Sequence, residues 1–162
     1  MKALVLTSTD GTLEFTSMEE PAAGPGLAVI GLQAAAVNRR DFWITQGGYP
    51  NIQAPCILGS DGVGIVETVG EGVTEVAPGD HVIGCLNRWC GTCHFCTGGR
   101  PYLCTSPYVP TRPPEAKARI TTDGGEAVGQ LGDLSSFAEH MLCPERSLVK
   151  IRDDMPLDRA CL

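Results

Sequence analysis

Four cysteines lie close together in the chain and could hold a metal ion. Cys90, Cys93, Cys96 and Cys104 follow the spacing C-x2-C-x2-C-x7-C, and small, polar and turn-forming residues separate them. Zinc binds four thiolates at the corners of a tetrahedron, and closely spaced cysteines on a looping backbone can supply them. Four sulfur ligands leave no position for water or substrate, so the pattern predicts one structural zinc ion per chain. The alternatives are two disulfides, which two-residue gaps would strain, and cysteines that are simply buried.

The composition is that of an acidic globular protein. The chain has 162 residues, of which 43% are hydrophobic and 19% charged, and this suits one domain over residues 1–162 with a sizeable core. A net charge of -7 argues against nucleic acid or an anionic membrane as a partner. The apolar run after Lys2 is too short for a signal peptide, and no run is long enough to span a bilayer. We therefore expect a cytoplasmic protein with reduced thiols, and expect the remaining cysteines to be small buried hydrophobic residues; these are Cys56, Cys85, Cys143 and Cys161.

The first part of the chain predicts strands and one short helix. Residues 2–7 and 13–16 have strand patterns and are joined through Asp10-Gly11, a dipeptide typical of hairpins. Residues 27–37 are almost entirely apolar, which predicts a strand buried on both faces. The polar and aromatic segment that begins at Asn38 predicts one or two helical turns before Gly47-Gly48.

The second part predicts more strands, interrupted by a long excursion. Strand patterns cover residues 62–69, 81–86, 136–143 and 148–151. Residues 87–133 lose hydrophobic periodicity, and we expect the metal to supply the order of this lobe. A helix is predicted to start at residues 153–156, where a carboxylate precedes a proline. The sequence thus indicates a mainly β fold, a partly open β-barrel or sandwich with short helices that carries a four-cysteine zinc lobe.

Several motifs together resemble one family. They are AVNRRD at 36–41, ILGSDGVGIVETVGEGV at 57–73, APGDHV at 77–82, SFAEHMLCPERSLVKI at 136–151 and the cysteine lobe. In this order they resemble the N-terminal, GroES-like domain of the medium-chain dehydrogenase/reductase superfamily, which includes zinc alcohol dehydrogenases and quinone oxidoreductases. The four-cysteine lobe makes the resemblance closer to the alcohol dehydrogenases, because quinone oxidoreductases usually lack it. The resemblance implies a GroES-like barrel that supplies the substrate side of a catalytic cleft.

The resemblance also implies a second domain and a nicotinamide cofactor. In the family a Rossmann domain follows and binds NAD(P), but these residues contain no G-x-G-x-x-G fingerprint. Residues 153–162 resemble the start of the helix that leads into that domain. One interpretation is the substrate domain of an NAD(P)(H)-dependent oxidoreductase that acts on a small molecule. The other is a stand-alone relative, either a binding or scaffold module or a cofactor-free isomerase or cyclase. Either way, we expect an exposed apolar interdomain face that self-associates or is covered by a partner.

The positions of the family's catalytic zinc ligands are altered. Asn38 stands where the zinc enzymes carry a cysteine, and Ser60 stands where they carry a histidine. Neither is a good zinc ligand, and Asp61 alone is too few, so we predict that the catalytic zinc is lost. Zinc-independent reductases of the superfamily often show such residues, and hydrogen-bond donors would then stabilise the developing oxyanion.

Four residues are therefore the catalytic candidates: Asn38, Asp41, Ser60 and Asp61. A helix cap formed by Asn38 and Asp41, and a simple turn at Ser60 and Asp61, remain open as structural alternatives. The neighbouring arginines could supply positive charge or could be an ordinary solvated face, which we favour. The nearby aromatic residues could line a substrate cleft or belong to the core; they are Phe42, Trp43 and Tyr49.

Overall fold

The structure is a computed structural model that describes residues 1–49, 51–105 and 118–162. Within these residues the chain is mainly β, as predicted. The strands are β1 (Lys2–Leu6), β2 (Leu13–Ser17), β3 (Leu27–Ala36), β4 (Cys56–Ile57), β5 (Asp61–Val69), β6 (His81–Gly84), β7 (Gly129–Gln130), β8 (His140–Pro144) and β9 (Leu148–Lys150). The helices are α1 (Arg39–Thr45), α2 (His94–Thr97) and α3 (Leu157–Ala160), with 3-10 turns at Pro101–Leu103, Leu131–Asp133 and Glu145–Ser147. No helix of the described residues combines the length and the hydrophobicity that a bilayer span requires.

The larger sheet curls until its two edges meet. Its strand order is β8-β3-β5-β6-β9, and every neighbouring pair is antiparallel. Strands β8 and β9 follow each other directly, joined by the turn Glu145–Ser147, yet they occupy opposite edges. In a flat sheet these edges would lie about 19 Å apart. The four residue steps from Pro144 to Leu148 can reach only about 14 Å. The sheet must therefore bend into the partly open barrel that the sequence predicts.

The smaller sheet packs against this barrel. Its order is β2-β1-β4-β7, and β1 and β2 form the predicted hairpin with Leu6 opposite Leu13. Strands β4 and β7 pair in parallel over two residues each, which is too short for a periodic pattern and was not predicted. One core cluster joins the two sheets, and its members include Val5, Val29 and Leu142.

Two strand predictions need correction. Strand β3 is not buried along its whole length, because only Leu27 to Gly31 are buried and the following residues alternate between half-buried and exposed. Pairing with β8 ends where Gly31 lies opposite His140, so only β5 accompanies the outer half of β3. The predicted strand 136–143 begins at His140, because Ser136 and Phe137 donate instead to the carbonyls of Gly59 and Leu58.

The other predictions hold in part. Helix α1 is confirmed, but α3 starts at Leu157, because residues 152–155 form a turn closed by the bond from Met155 N to the Arg152 carbonyl (3.1 Å). The excursion 87–133 is not uniform, since its end returns to the core with Ile120 and Val128 buried. Of the four remaining cysteines, Cys85 is half-buried. The other three are buried as predicted: Cys56, Cys143 and Cys161.

Candidate metal centre and catalytic cleft

The four predicted metal ligands converge in the lobe that follows β6. Cys93 precedes α2, Cys96 lies within it, and the turn Pro101–Leu103 leads to Cys104. All four sulfurs lie within 4.8 Å of one another, and no second group of three or more histidine, cysteine or acidic residues forms in the described residues. The Sγ–Sγ distance is 3.5 Å for Cys93 and Cys96, and 3.9 Å for Cys90 and Cys96 and for Cys93 and Cys104.

These distances fit a zinc tetrahedron. A zinc–sulfur distance near 2.3 Å places tetrahedral sulfurs about 3.8 Å apart. A disulfide needs about 2.05 Å, and all eight cysteines of the chain are free. The two-disulfide alternative is therefore not what the structure contains.

Hydrogen bonds prepare the sulfurs to carry negative charge. The Cys93 N–H lies 3.3 Å from Cys90 Sγ, the Cys90 N–H lies 3.4 Å from Cys104 Sγ, and the Thr92 hydroxyl lies 3.6 Å from Cys90 Sγ. Hydrogen bonds from the Thr92 backbone, the Cys93 backbone and the Thr92 side chain lower the pKa of Cys90 to about 6. Desolvation raises the pKa of Cys96 to about 11. These hydrogen bonds favour the charged form of the Cys90 sulfur, and a metal ion bound by the cluster would displace the protons of the other thiols.

The catalytic candidates also come together, from two segments that meet at the end of β3. Asn38 caps the N-terminus of α1, Ser60 directly precedes β5, and Asp61 is the first residue of that strand. The Asn38 amide donates to Asp61 Oδ2 at 2.6 Å and reaches Ser60 Oγ at 3.5 Å. The amide thus joins the two segments.

Asp41 holds this arrangement in place. Asp41 is 3% exposed, and its Oδ2 accepts the Asn38 backbone N–H at 2.9 Å while its Oδ1 accepts the Gly59 N–H at 3.2 Å. Both oxygens therefore bind backbone on either side of the cleft. The helix cap formed by Asn38 and Asp41 therefore belongs to the same hydrogen-bond network as the cleft residues.

Ser136 is a neighbour of this network that the sequence did not single out. Its hydroxyl donates to the Asp61 carbonyl at 3.2 Å, and its backbone N–H donates to the Gly59 carbonyl. Ser136 lies 75 residues from Asp61, so spacing in the chain carried no signal for this contact.

An apolar groove of about 430 Å³ lies beside the polar cluster. Leu4, Phe15, Val37 and Phe137 form much of its wall, and Ser136 is shared with the polar cluster. The aromatic residues predicted as cleft or core lie elsewhere and are all exposed: Phe42, Trp43 and Tyr49. The Arg39 guanidinium lies 5.2 Å from the centroid of the Trp43 ring, so both side chains belong to an exposed helix face.

Comparison with known proteins shows which family has a similar sequence and fold. Residues 24–153 match the family model described as "Alcohol dehydrogenase GroES-like domain". Over 99% of its length the chain is 35% identical to the alcohol dehydrogenase class-3 of Dictyostelium discoideum, and it covers 43% of that relative.

Two solved structures are similar at 30% identity over 99% of the chain. One is an NAD-dependent alcohol dehydrogenase (TM-score 0.71, 42% of that chain covered). The other is a cobalt- and zinc-bound thermostable alcohol dehydrogenase from Pyrobaculum aerophilum (TM-score 0.73, 44% covered). The chain thus spans less than half the length of these relatives, and the similarity confirms the predicted GroES-like fold.

Proposed function

The chain belongs to the alcohol dehydrogenase GroES-like domain family, and we propose that it is the substrate-binding domain of an NAD(P)(H)-dependent oxidoreductase. The family match over residues 24–153 and the likeness to an NAD-dependent alcohol dehydrogenase support this function. The substrate would be a small alcohol or carbonyl compound, and hydride transfer would require a dinucleotide-binding domain beside this one. A binding or scaffold role is not favoured by any observation.

The lobe is proposed to hold one structural zinc ion. The observation that carries this proposal is the set of Sγ–Sγ distances of 3.5 to 3.9 Å, which match the edges of a tetrahedron. Cys90, Cys93, Cys96 and Cys104 would fill all four positions, so this ion would stabilise the lobe and take no part in the reaction.

The cleft is proposed to work without a second zinc ion. Asn38 directs its amide nitrogen, which cannot bind a metal, at the Asp61 carboxylate. Asp41 has both oxygens engaged by backbone N–H groups, so it is not available as a ligand either. Of the four candidates, only Asp61 and the weakly ligating Ser60 remain, and a catalytic zinc site uses three protein ligands.

Hydrogen bonding would replace the metal. A nicotinamide dinucleotide, when bound, supplies or accepts the hydride. The Ser60 hydroxyl accepts a hydrogen bond from Asn38, and its own O–H donates to no group in the described residues. We assign this O–H to the substrate oxygen as that oxygen gains negative charge. Ser60 is 3% exposed, so the bond would be shielded from water, while Asp41 and Asp61 hold Asn38 and thereby Ser60 in position.

Elemental analysis of protein purified without added metal tests the zinc assignments. We expect one zinc ion per chain in the wild type, and a loss of zinc in Cys90→Ser and Cys104→Ser. Cys85→Ser is the matched control, because this thiol lies outside the cluster. Two zinc ions per chain would contradict the zinc-free cleft, and none would contradict the structural site.

Kinetics of the complete protein test the role of Ser60. With NADH or NADPH and a conjugated enone or quinone, Ser60→Ala should lower kcat and kcat/KM together by roughly 10²-fold, as expected for a donor that acts in the transition state. Ser17→Ala removes an exposed hydroxyl on β2 and should leave both constants unchanged. An unchanged kcat in Ser60→Ala would contradict the proposed role.

A further inference from the structure

Arg146 connects the seam of the barrel to the candidate metal centre. It lies in the turn Glu145–Ser147, where the edges of the curled sheet meet. Its Nη1 atom donates to the carbonyl of Cys90 and lies 3.4 Å from the carbonyl of Trp89. These two carbonyls belong to the backbone segment that presents the first of the four sulfurs.

Gly91 allows the guanidinium to lie directly on this segment. A Cβ atom at position 91 would be 2.6 Å from Arg146 Nη1, closer than two such atoms can approach. The backbone there is also left-handed, with φ of +79°. The Arg146 side chain therefore contacts the carbonyls of residues 89 and 90 and occupies the space that the missing side chain of residue 91 leaves open.

The barrel side of this connection is firmly anchored. Ser147 is completely buried, and its carbonyl accepts the N–H of Cys85 at 2.7 Å. Cys85 directly follows β6 and begins the segment that leads into the lobe. The turn that carries Arg146 is thus bonded to the start of the lobe by its backbone and to the Cys90 segment by its side chain.

The charge of Arg146 suits a tetrathiolate metal site. Four thiolates around one Zn²⁺ leave a net negative charge, and a guanidinium stays protonated at all physiological pH values. Both carbonyls are served by one nitrogen, Nη1, whose two N–H bonds are fixed in the guanidinium plane, whereas the N–H bonds of a lysine ammonium rotate freely. Groups in this position outside the ligand shell orient metal ligands and tune their affinity.

We propose that Arg146 is a positioning residue of the four-cysteine metal site, which fixes the Cys90 segment in its ligating conformation from the barrel seam. The inference rests on the proposed structural zinc. It makes metal retention depend on a side chain 56 residues beyond the first ligand, which supplies no ligand atom itself.

Competition with a chelator of known affinity, carried out on the full chain, tests the proposal. Arg146→Gln should lower zinc affinity by roughly 10–100-fold, the usual effect of removing a partner outside the ligand shell. The absorption bands of the cobalt-substituted variant should also change, because they report the geometry of the four sulfurs. Arg146→Lys keeps the charge without the planar donors and should give an intermediate affinity. Arg152→Gln is the control, since this exposed arginine pairs with Asp154 and has no hydrogen bond or ion pair to the lobe within the described residues.

Each outcome decides the question. Wild-type affinity and an unchanged cobalt spectrum in Arg146→Gln would overturn the role of Arg146 and leave the zinc site standing. A wild-type chain that binds neither zinc nor cobalt would overturn the zinc site and this inference with it. If Arg146→Gln fails to fold, Arg146→Lys decides: wild-type affinity overturns the inference and reduced affinity supports it.

Discussion

Gly59 shapes the candidate cleft at the scale of single residues. Its N–H donates to Asp41 and its carbonyl accepts the N–H of Ser136, so it links the two sides of the site. Its φ is +88°, and a Cβ atom would collide with Ser136 Oγ and lie 2.6 Å from the ring of Phe137. Both the conformation and the space therefore demand glycine.

We expect Gly59→Ala to destabilise the protein more than replacing a glycine at which only the left-handed backbone, and no steric clash, opposes alanine. Gly72 is the matched control, because its φ is +79° but nothing lies within 4 Å of a Cβ atom there. Gly72→Ala should cost about 1–2 kcal/mol for the left-handed backbone. Gly59→Ala should cost about 1–3 kcal/mol more because of the collisions. Urea denaturation measures both, and equal losses would contradict this account of the cleft.

The residues of the two sites differ in how far the sequence could predict them. The cysteines could be identified from spacing, because all four ligands lie within one short segment. Asn38 and Asp61 lie 23 residues apart, and only a family resemblance placed them in one cleft. Ser136 contacts Asp61, 75 residues away, and Arg146 contacts Cys90, 56 residues away. The local sequence around Ser136 and Arg146 gives no sign of these contacts.

At the scale of elements, Asp80 and Lys150 join the turn before β6 to the end of β9. The Lys150 Nζ lies 2.5 Å from Asp80 Oδ1. This bond, followed by the Ala77 N–H, holds the pKa of Asp80 below its ordinary value of 3.8. The same bond raises the pKa of Lys150 above 10.5. Asp80 thus stabilises the fold above about pH 4, and Lys150 does so below about pH 10, so both act together between these limits.

Asp80→Asn should lower the melting temperature at pH 7, and the difference from wild type should shrink as the pH falls below 4. The reason is that the wild-type carboxylate is itself protonated as the pH passes through its lowered folded pKa. Thermal unfolding at pH 7 and pH 3 measures the effect. Glu71→Gln removes another exposed carboxylate and serves as the control. A difference that stays constant with pH would exclude an electrostatic origin.

Asp133 joins the two ends of the segment that carries the four cysteines. Its carboxylate pairs with Arg88, which precedes the cysteines, and with Arg119 at 3.4 Å, which follows them. Asp133 adopts a left-handed conformation with φ of 58°, which asparagine also tolerates. Asp133→Asn therefore removes the charge with little change in backbone preference.

We expect Asp133→Asn to loosen the lobe and leave the barrel unchanged. Amide hydrogens of residues 88–105 should exchange roughly three- to tenfold faster, which corresponds to about 1 kcal/mol for a partly shielded charge network. The buried strands β3 and β8 should keep their protection. Asp158→Asn in α3 is the control, and faster exchange throughout the barrel would contradict a local role.

The element boundaries show why prediction from sequence was partial. Long strands such as β3 and β5 gave clear apolar patterns, whereas β4 and β7 are too short to show a period. The start of β8 was misplaced because the backbone N–H groups of Ser136 and Phe137 bond to residues 59 and 58, outside the β8 ladder. Tertiary contacts decided this boundary.

At the scale of the whole molecule, apolar side chains remain exposed beside the cleft. Phe15 is 83% and Val37 is 79% exposed, and both line the groove with Leu4 and Phe137. Exposed apolar surface of this kind favours association. We propose that the 162-residue chain self-associates through this groove.

Sedimentation velocity over a range of concentrations tests this proposal. The wild-type chain should shift towards dimers as its concentration rises, and Phe15→Ser combined with Val37→Ser should remain monomeric. Tyr102→Ser changes an exposed aromatic residue of the lobe and should behave like the wild type. A monomeric wild type at high concentration would rule the association out.

The position of Arg146 has a consequence for the order in which the protein is made. Cys90 precedes Arg146 by 56 residues. At roughly 5–20 residues per second, the ribosome releases the lobe several seconds before the arginine that braces it. With the proposed zinc site, the cysteines would emerge and meet metal before β8 and β9 pair into the barrel, and closure of the barrel would then secure the bound ion. Under these two proposals, synthesis from the N-terminus would let the lobe bind its ion first and gain the contact from Arg146 last.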